Sequence, residues 1–199
     1  LILWLFYAII SQWRWRTLLF SILVLMVKED AFIYVFSIGI FFLSQKRFNL
    51  TSKTKQWLIL TEFLLPLLYF TLALLILSTF GEGGMVSRFD AFLLKDENGI
   101  LAVFKNLVLH PSFAISHLFM AKKLGYLFLM LAPMCFLPLL QRNWSNYFLA
   151  LPLVVINLLP DWPYQYDIGF QYSYGSGALL FIMALLALED LKLHKYINE

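Results

Sequence analysis

Three consecutive charged residues, Lys28, Glu29 and Asp30, stand between two apolar stretches of the chain. Successive residues point about 100° apart around a helix, so a continuous membrane helix could not hold all three on one protected face. Each charge would cost about 2.5 to 3.5 kcal/mol at the bilayer centre. We therefore expect the chain to break here into two helices. Two interpretations of the break stay open. It is either an exposed hairpin turn or the polar bottom of an active or ligand-binding site, because non-helical backbone is tolerated where it lines water.

Basic and imidazole side chains form a second group of candidates. Lys122 and Lys123 precede an apolar stretch, where paired ammonium groups either attract a lipid phosphate or anchor a helix by snorkelling. His110 stands just before Pro111, at a predicted helix end, and would hydrogen-bond a ligand or cap the helix. His117 follows seven residues later, about 10 Å away on a continuous helix. Since the proline interrupts that helix, we predict no metal site.

A loop rich in aromatic and amide groups occupies residues 161–174 and includes Gln171 and Tyr172. Such groups suit the binding of a sugar, although Trp and Tyr also form the usual interfacial belt of membrane proteins. Residues 175–177 lack the spacing of a serine nucleophile elbow. Residues 81–84 lack the Lys-Ser or Lys-Thr that completes a phosphate loop. No cofactor is predicted.

The composition determines which elements must position these residues. Of 199 residues, 61% are hydrophobic and only 14% are charged, against about 25% charged in an ordinary soluble domain. This excludes a soluble enzyme and a disordered protein, and the single cysteine, Cys135, excludes an internal disulfide. A net charge of +3 is too small and dispersed to suggest nucleic-acid binding. The chain is predicted to be an integral membrane protein.

The apolar stretches predict several helices, only some of them long enough to cross a bilayer with about 17 to 25 residues. The clearest span is 57–80, with Pro66 kinking it and Glu62 near one interface. A second span is expected at 124–140. Residues 100–109 have an apolar face with Asn106 opposite it, which predicts a helix lying at the membrane interface. The apolar stretches are 1–10, 17–27, 31–43, 57–80, 124–140, 146–159 and 174–188.

Charge asymmetry predicts the orientation. Residues 11–16 and 44–56 carry basic side chains without acidic ones, which places both segments in the cytoplasm. The Lys28 to Asp30 block and residues 81–123 then lie outside. Five basic residues are exceptions to the rule: Arg88, Lys95, Lys105, Lys122 and Lys123. We expect a single domain over residues 1–199 and, because the apolar start has neither Met nor a basic region, a C-terminal fragment that lacks the N-terminal half of a longer protein.

Short motifs in a fixed order carry a resemblance over nearly the whole chain. They are residues 25–31, Gly39, His110-Pro111, Tyr126, Pro133, residues 136–140, Leu151-Pro152, residues 157–159 and residues 171–173. With them the chain resembles the bacterial predicted-membrane-protein family catalogued as domain of unknown function 2079, which is grouped with the GT-C glycosyltransferases. The specific motif is the Lys-Glu-Asp block. The family has His where this chain has Gln171, which weakens an acid-base role at that position.

The resemblance implies an all-α, polytopic transmembrane fold of GT-C type, with broken or half-length helices and an interfacial helix. It implies transfer of a sugar from a polyprenyl-phosphate donor at the outer face of the bacterial cytoplasmic membrane, in a polar cavity that faces outward. Glu29 or Asp30 would then deprotonate the acceptor. The phosphate would meet the lysines and the sugar would meet the remaining polar residues, so that eight side chains share one cavity: Lys28, Glu29, Asp30, His110, Lys122, Lys123, Gln171 and Tyr172.

The expected partners are the lipid bilayer and a lipid-linked sugar. GT-C enzymes also carry a carboxylate in their first external loop, which would belong to the missing N-terminal half, so the resemblance implies that this chain alone is catalytically incomplete. Two other classes stay open. A transporter or flippase would use the same broken helix as a substrate site, and a membrane scaffold would use it for no chemistry.

Overall fold

A computed structural model describes residues 1–80, 86–94 and 97–197, and within them the chain is helical and contains no β-strand. The predicted all-α fold is thereby confirmed. Of the residues discussed above, those at 81–84 and Lys95 lie outside the described part. The α-helices are α1 (Ile2–Ile10), α2 (Arg14–Leu25), α3 (Phe32–Ser44), α4 (Ser52–Ile59), α5 (Leu65–Phe80), α6 (Ile100–Leu109), α7 (Pro111–Leu118), α8 (Ala121–Leu131) and α9 (Ser173–Ile197).

The predicted break at the charged block is present. Helix α2 ends at Leu25 and helix α3 begins at Phe32, with a turn between them. The turn closes on itself, because the amide of Ala31 donates to the Lys28 carbonyl at 3.1 Å and the amide of Ile33 donates to the Asp30 carbonyl at 3.2 Å. At 12 and 13 residues, both helices are shorter than a full crossing.

Among the described residues, two helices are long and apolar enough to cross a membrane: Ser52–Leu77 and Ser173–Lys192. The first joins α4 to α5 through a π-helical turn, Leu60–Leu64. Pro66 explains this turn, since a proline has no amide to donate to the carbonyl four residues earlier and the backbone upstream widens. Glu62 was expected near an interface. It lies instead in the π turn, ten residues inside the candidate span and fully buried.

The stretch predicted as a span at 124–140 does not form one straight helix. It begins earlier, where Pro111–Leu118 and Ala121–Met134 meet at a bend of 60° and together qualify as a broken span. It also ends earlier, because Cys135 and Phe136 adopt left-handed backbone angles, with φ of 49° and 57°. Residues 146–159 likewise form 3₁₀ and π turns rather than a single α-helix.

Helix α3 runs through the core. It packs against α5 and against the 3₁₀ helix Trp144–Ala150, which in turn contacts α9. Gly39 permits the approach of α3 to the candidate span, because a Cβ atom there would lie 2.6 Å from the Cβ atom of Glu62. Aromatic rings fill the neighbouring core, where Phe6 stacks on Phe41 at 5.4 Å and contacts Phe42 at 4.7 Å. Burying three phenylalanines contributes several kcal/mol, at about 25 cal/mol per Å² of apolar surface in a soluble reference.

Polar contacts collect at both ends of the helices. At one end, Arg47 pairs with Asp190 at 2.8 Å and the side chain of Thr54 donates to Gln12 at 3.0 Å. The charged block lies at the other end, before the first residue of α3. Residues 44–56 and the charged block therefore lie at opposite ends of α3, and the side of the membrane that each faces stays a prediction.

Helix α6 is amphipathic in a different phase from the predicted one. Asn106 was predicted to lie on the side of the helix opposite the apolar face, but it is buried. Its side-chain amide donates to the Phe92 carbonyl at 2.8 Å and to the Glu97 carboxylate at 2.6 Å. The exposed apolar side chains are Leu101, Phe104, Val108 and Leu109. The polar anchor holds α6 against the 3₁₀ helix Val86–Phe92 and leaves its apolar face exposed, and the location of this helix at a membrane interface stays a prediction.

Candidate functional site

The charged block forms a compact ion-pair network in the turn between α2 and α3. The Lys28 ammonium lies 2.7 Å from the Asp30 carboxylate and 4.0 Å from that of Glu29. The turn is held from the side by Tyr69, whose hydroxyl donates to the Lys28 carbonyl at 3.2 Å. Asp30 is only 6% exposed, which contradicts the interpretation of an ordinary exposed hairpin turn.

Arg88 completes this network from the 3₁₀ helix Val86–Phe92. One of its terminal nitrogens lies 3.2 Å from the Glu29 carboxylate, and the other lies 3.7 Å from that of Asp30. Its Nε is buried and has no hydrogen-bond partner among the described residues. Two cations and two carboxylates thus form a locally neutral cluster, in which the Arg88 Nε is a buried donor without an acceptor among the described residues. Sequence reasoning missed Arg88 as a site residue, although its position as a basic exception in a predicted outer loop was a signal.

Aromatic rings cover the two cations. The Lys28 ammonium lies 4.0 Å from the centre of the Tyr172 ring, and the Arg88 guanidinium lies 4.6 Å from that of Trp162. The two rings contact each other edge to face at 5.5 Å. The amide of Asp161 also donates to the Arg88 carbonyl at 2.9 Å, which ties the aromatic loop to the 3₁₀ helix. Rings in this position attract the cations and shield them from bulk water.

A cavity of about 580 Å³ opens beside the network. Its polar end is formed by Lys28, Asp30, Gln171 and Tyr172, and of the described residues that line it, Asp30 is the one carboxylate. The remaining wall is largely apolar or aromatic and includes Leu1, Leu3, Val24, Val27, Tyr34, Ile156 and Tyr174. A volume of this size is typical of a small-molecule site.

A buried chain of hydrogen bonds supports the wall of this cavity. The hydroxyls of Tyr34 and Ser176 lie 3.5 Å apart, and that of Ser176 donates to the Asn157 side chain at 2.6 Å. The Asn157 amide donates to the Tyr172 carbonyl at 3.1 Å. Gly175 lets the Tyr34 ring lie against α9, since a Cβ atom there would be 2.5 Å from the ring. The chain thereby fixes Tyr34 and Tyr172 on either side of the cavity.

The other predicted residues are not all brought to this cavity. Lys123 is fully buried in a separate cluster, where its ammonium donates to the Leu158 carbonyl at 2.5 Å and lies 5.2 Å from the Tyr166 ring. His110 and Lys122 are exposed. Within the described part of the chain, none of these three residues lines the cavity. Of the eight residues predicted to share one cavity, the structure brings together Lys28, Asp30, Gln171 and Tyr172, and Glu29 contacts the same network through Arg88.

Electrostatics favour a carboxyl that can exchange a proton. Burial raises the pKa of Asp30, while the adjacent Lys28 opposes that rise and Arg88 opposes it less. A carboxylate of this kind suits general-base chemistry better than an exposed one, because its raised pKa makes it a stronger acceptor of protons. Among the described residues, no group of three acidic, histidine or cysteine side chains is arranged to hold a metal ion.

The long apolar helices and the half-buried charges beside a cavity define a helical integral membrane protein with a candidate ligand site at one end of its helices. Within that class, the chain belongs to the predicted membrane protein family DUF2079, whose model matches residues 1–198. No curated protein and no solved structure matches the chain. The family is described as a predicted membrane protein, in agreement with the long apolar helices, and its description names no activity.

Proposed function

We propose that this protein is a membrane glycosyltransferase of the GT-C kind, which transfers a sugar from a polyprenyl-phosphate donor at the outer face of the cytoplasmic membrane. One observation carries the proposal: a cavity with an apolar wall ends in a buried carboxylate that is paired with cations. A lipid-linked sugar phosphate has the same order of chemical groups, which are an apolar tail, an anionic phosphate and a sugar.

The donor phosphate would bind at Lys28. Lys28 supplies a compact positive charge at the cavity surface, and Arg88, which pairs with Glu29 and Asp30 and is not among the lining residues, adds a second positive charge close by. The polyprenyl chain would run along the apolar wall past Leu3 and Val27. Lys123, which the sequence also suggested for the phosphate, has no part in this step because it binds the Leu158 carbonyl in another cluster.

Asp30 is the stronger candidate for the catalytic base. Asp30 lines the cavity, whereas Glu29 is not among the lining residues and contacts Arg88. In the proposed step Asp30 takes the proton of the acceptor hydroxyl, and the acceptor oxygen bonds to the anomeric carbon of the sugar. The bond from that carbon to the phosphate oxygen breaks, and the electron pair leaves with the phosphate. Lys28 and Arg88 would stabilise the negative charge on the departing lipid phosphate.

Gln171 and Tyr172 would contact the sugar. Gln171 offers an amide at the polar end of the cavity, and Tyr172 offers an aromatic side chain beside Lys28. Uncharged hydrogen-bonding groups next to aromatic surfaces are what a sugar requires. His110 and Lys122 are exposed and outside the cavity lining, so they are not assigned to sugar or phosphate binding here.

A binding experiment tests the phosphate part of the proposal. The full-length protein in lipid nanodiscs should bind a polyprenyl phosphate and not the matching polyprenol, which has the same tail without the anion. Lys28→Gln should weaken binding about tenfold to a hundredfold, since one charge-assisted hydrogen bond is worth about 1.5 to 3 kcal/mol. Lys55→Gln, an exposed lysine on α4, serves as the matched control and should bind normally. Equal binding of phosphate and alcohol would refute a phosphate site.

A transfer experiment separates catalysis from transport. The full-length protein carrying Asp30→Asn should still bind the polyprenyl phosphate but should lose transfer of a labelled sugar from a polyprenyl-phosphate donor. A flippase would instead move the lipid across a vesicle membrane and transfer no sugar. Transfer that is unchanged in Asp30→Asn would remove the assigned base, and binding without either transfer or translocation would favour the scaffold.

A further inference from the structure

Glu62 occupies an unusual position for a carboxyl group. It lies in the π-helical turn Leu60–Leu64 of the candidate span Ser52–Leu77, about 15 Å along the helix from Ser52, and is 0% exposed. Gly39 of α3 encloses its stem from one side. Within the described part of the chain, no lysine, arginine or histidine nitrogen lies within 4.0 Å of its carboxyl oxygens. Ionisable residues at such depth are costly and usually functional.

The hydrogen atoms at this position can be counted from the oxygen positions. The Ser21 hydroxyl lies 2.8 Å from the Thr17 carbonyl and 2.7 Å from the Glu62 Oε1 atom. A hydroxyl has one hydrogen, and a carbonyl has none to give. Two full hydrogen bonds among these three oxygens therefore require a second hydrogen. The group that can carry it is the Glu62 carboxyl.

We propose that Glu62 is a proton-binding site inside the span. In the occupied form, the carboxylic acid donates from Oε1 to the Ser21 hydroxyl, and that hydroxyl donates to the Thr17 carbonyl. When the proton leaves, the single hydroxyl hydrogen turns to the carboxylate and the bond to the Thr17 carbonyl is lost. Oε2, which is buried and has no partner among the described residues, is better tolerated as the oxygen of a neutral acid than as part of an ion.

The site is placed to affect the candidate cavity. Ser21 belongs to α2, which leads directly into the turn that carries Lys28. Seven residues beyond Glu62 on the same span, Tyr69 donates to the Lys28 carbonyl. The span thus holds α2 and its following turn at two points, and a change of proton occupancy alters one of them. This inference does not rest on the proposed sugar transfer.

Infrared spectroscopy tests the inference without any substrate. At neutral pH in lipid, the wild-type protein should show the carbonyl-stretch band of a protonated carboxylic acid, and this band should shift when the buffer is changed to deuterated water. Glu62→Gln should abolish it. Ser21→Ala should keep the band but move its frequency, because the acid loses its acceptor. Glu189→Gln, which alters a carboxyl that is 59% exposed, is the control and should leave the band unchanged.

Two results would overturn the inference. Identical spectra for the wild type and Glu62→Gln would show that Glu62 is ionised and that Ser21 donates to it. Where Glu62→Gln fails to fold, as judged by circular dichroism and gel filtration, Ser21→Ala decides alone. A Ser21→Ala spectrum without any shift of the band would show that the band does not come from the Ser21 partner.

Discussion

The wall of the cavity depends on how closely Tyr34 approaches helix α9, and one substitution tests this directly. In Gly175→Ala the new Cβ atom would lie 2.5 to 2.8 Å from three atoms of the Tyr34 ring and hydroxyl. Carbon atoms pack at about 3.5 to 4.0 Å, so the ring or the helix must move. Overpacking of this kind costs about 1 to 3 kcal/mol. The displaced hydroxyl would also lose its contact with Ser176.

Gly177 is the matched control on the same helix. A Cβ atom there would lie 3.7 Å from the Met130 methyl group, which is an ordinary contact. Replacing a helical glycine with alanine gains up to about 1 kcal/mol from the backbone. Gly177→Ala should therefore be neutral or stabilising, and Gly175→Ala should be destabilising. We expect the unfolding free energies of the two variants to differ by about 1 to 3 kcal/mol.

Thermal unfolding in detergent measures the difference. At about 3 °C per kcal/mol for a chain of this size, the midpoint of Gly175→Ala should lie roughly 3 to 9 °C below that of Gly177→Ala. Adding Tyr34→Ala should remove most of this gap, because the clash partner is gone. Equal midpoints for the two single variants, or a gap that persists without the tyrosine ring, would refute the assigned packing of the cavity wall.

Three further predictions concern orientation and protonation. In a Cys135→Ala background, an impermeant thiol reagent on intact cells should label Ser87→Cys and not Ser52→Cys; labelling of the second alone would reverse the predicted orientation. Hydrogen bonds from Lys105 and then Asn106 of α6 lower the pKa of Glu97 from 4.5 to about 2. The stabilising effect of the ionised Glu97 carboxylate should therefore be present above pH 4.5 and lost as the pH falls through about 2. The protection factors of the α6 amides, which are exchange rates corrected for the intrinsic rate at each pH, should fall as the pH is lowered over that interval, and unchanged protection factors would contradict the assignment. Because burial raises the pKa of Asp30, the proposed transfer rate should fall on the acid side as the base is protonated, and a pH-rate profile of the full-length protein without that limb would count against Asp30 as the base.

Local patterns in the sequence predicted those parts of the fold that depend on local physics. The break at the charged block followed from the cost of three adjacent charges in a helix, and the clearest span followed from its length and composition. The prediction of one span at 124–140 was wrong because Cys135 and Phe136 adopt left-handed backbone angles, and no glycine nearby in the sequence indicates them. Apolar composition predicts a membrane segment, but it does not determine whether the segment stays straight.

The candidate site was predicted only where a residue is unusual in its own surroundings. Lys28 and Asp30 were found because charges stand out in an apolar stretch. Arg88 was missed because its partner Glu29 is 59 residues away, and no local pattern predicts such a pairing. Adjacent lysines at the start of α8 show the same limit, since a rotation of about 100° buries Lys123 and exposes Lys122. Contacts between distant helices decide which of two similar residues faces the interior.

The neutral charge cluster relates the proposed donor site to the proposed base. Lys28 and Arg88 now balance Glu29 and Asp30, and both cations hold the pKa of Asp30 below the value that burial alone would produce. A phosphate that binds Lys28 competes with the Asp30 carboxylate for the same ammonium group. As the carboxylate loses its partners, its pKa rises further and it becomes a stronger base, without any change in the helices. Under the proposed function, donor binding would therefore strengthen the base at the position where the acceptor hydroxyl is deprotonated.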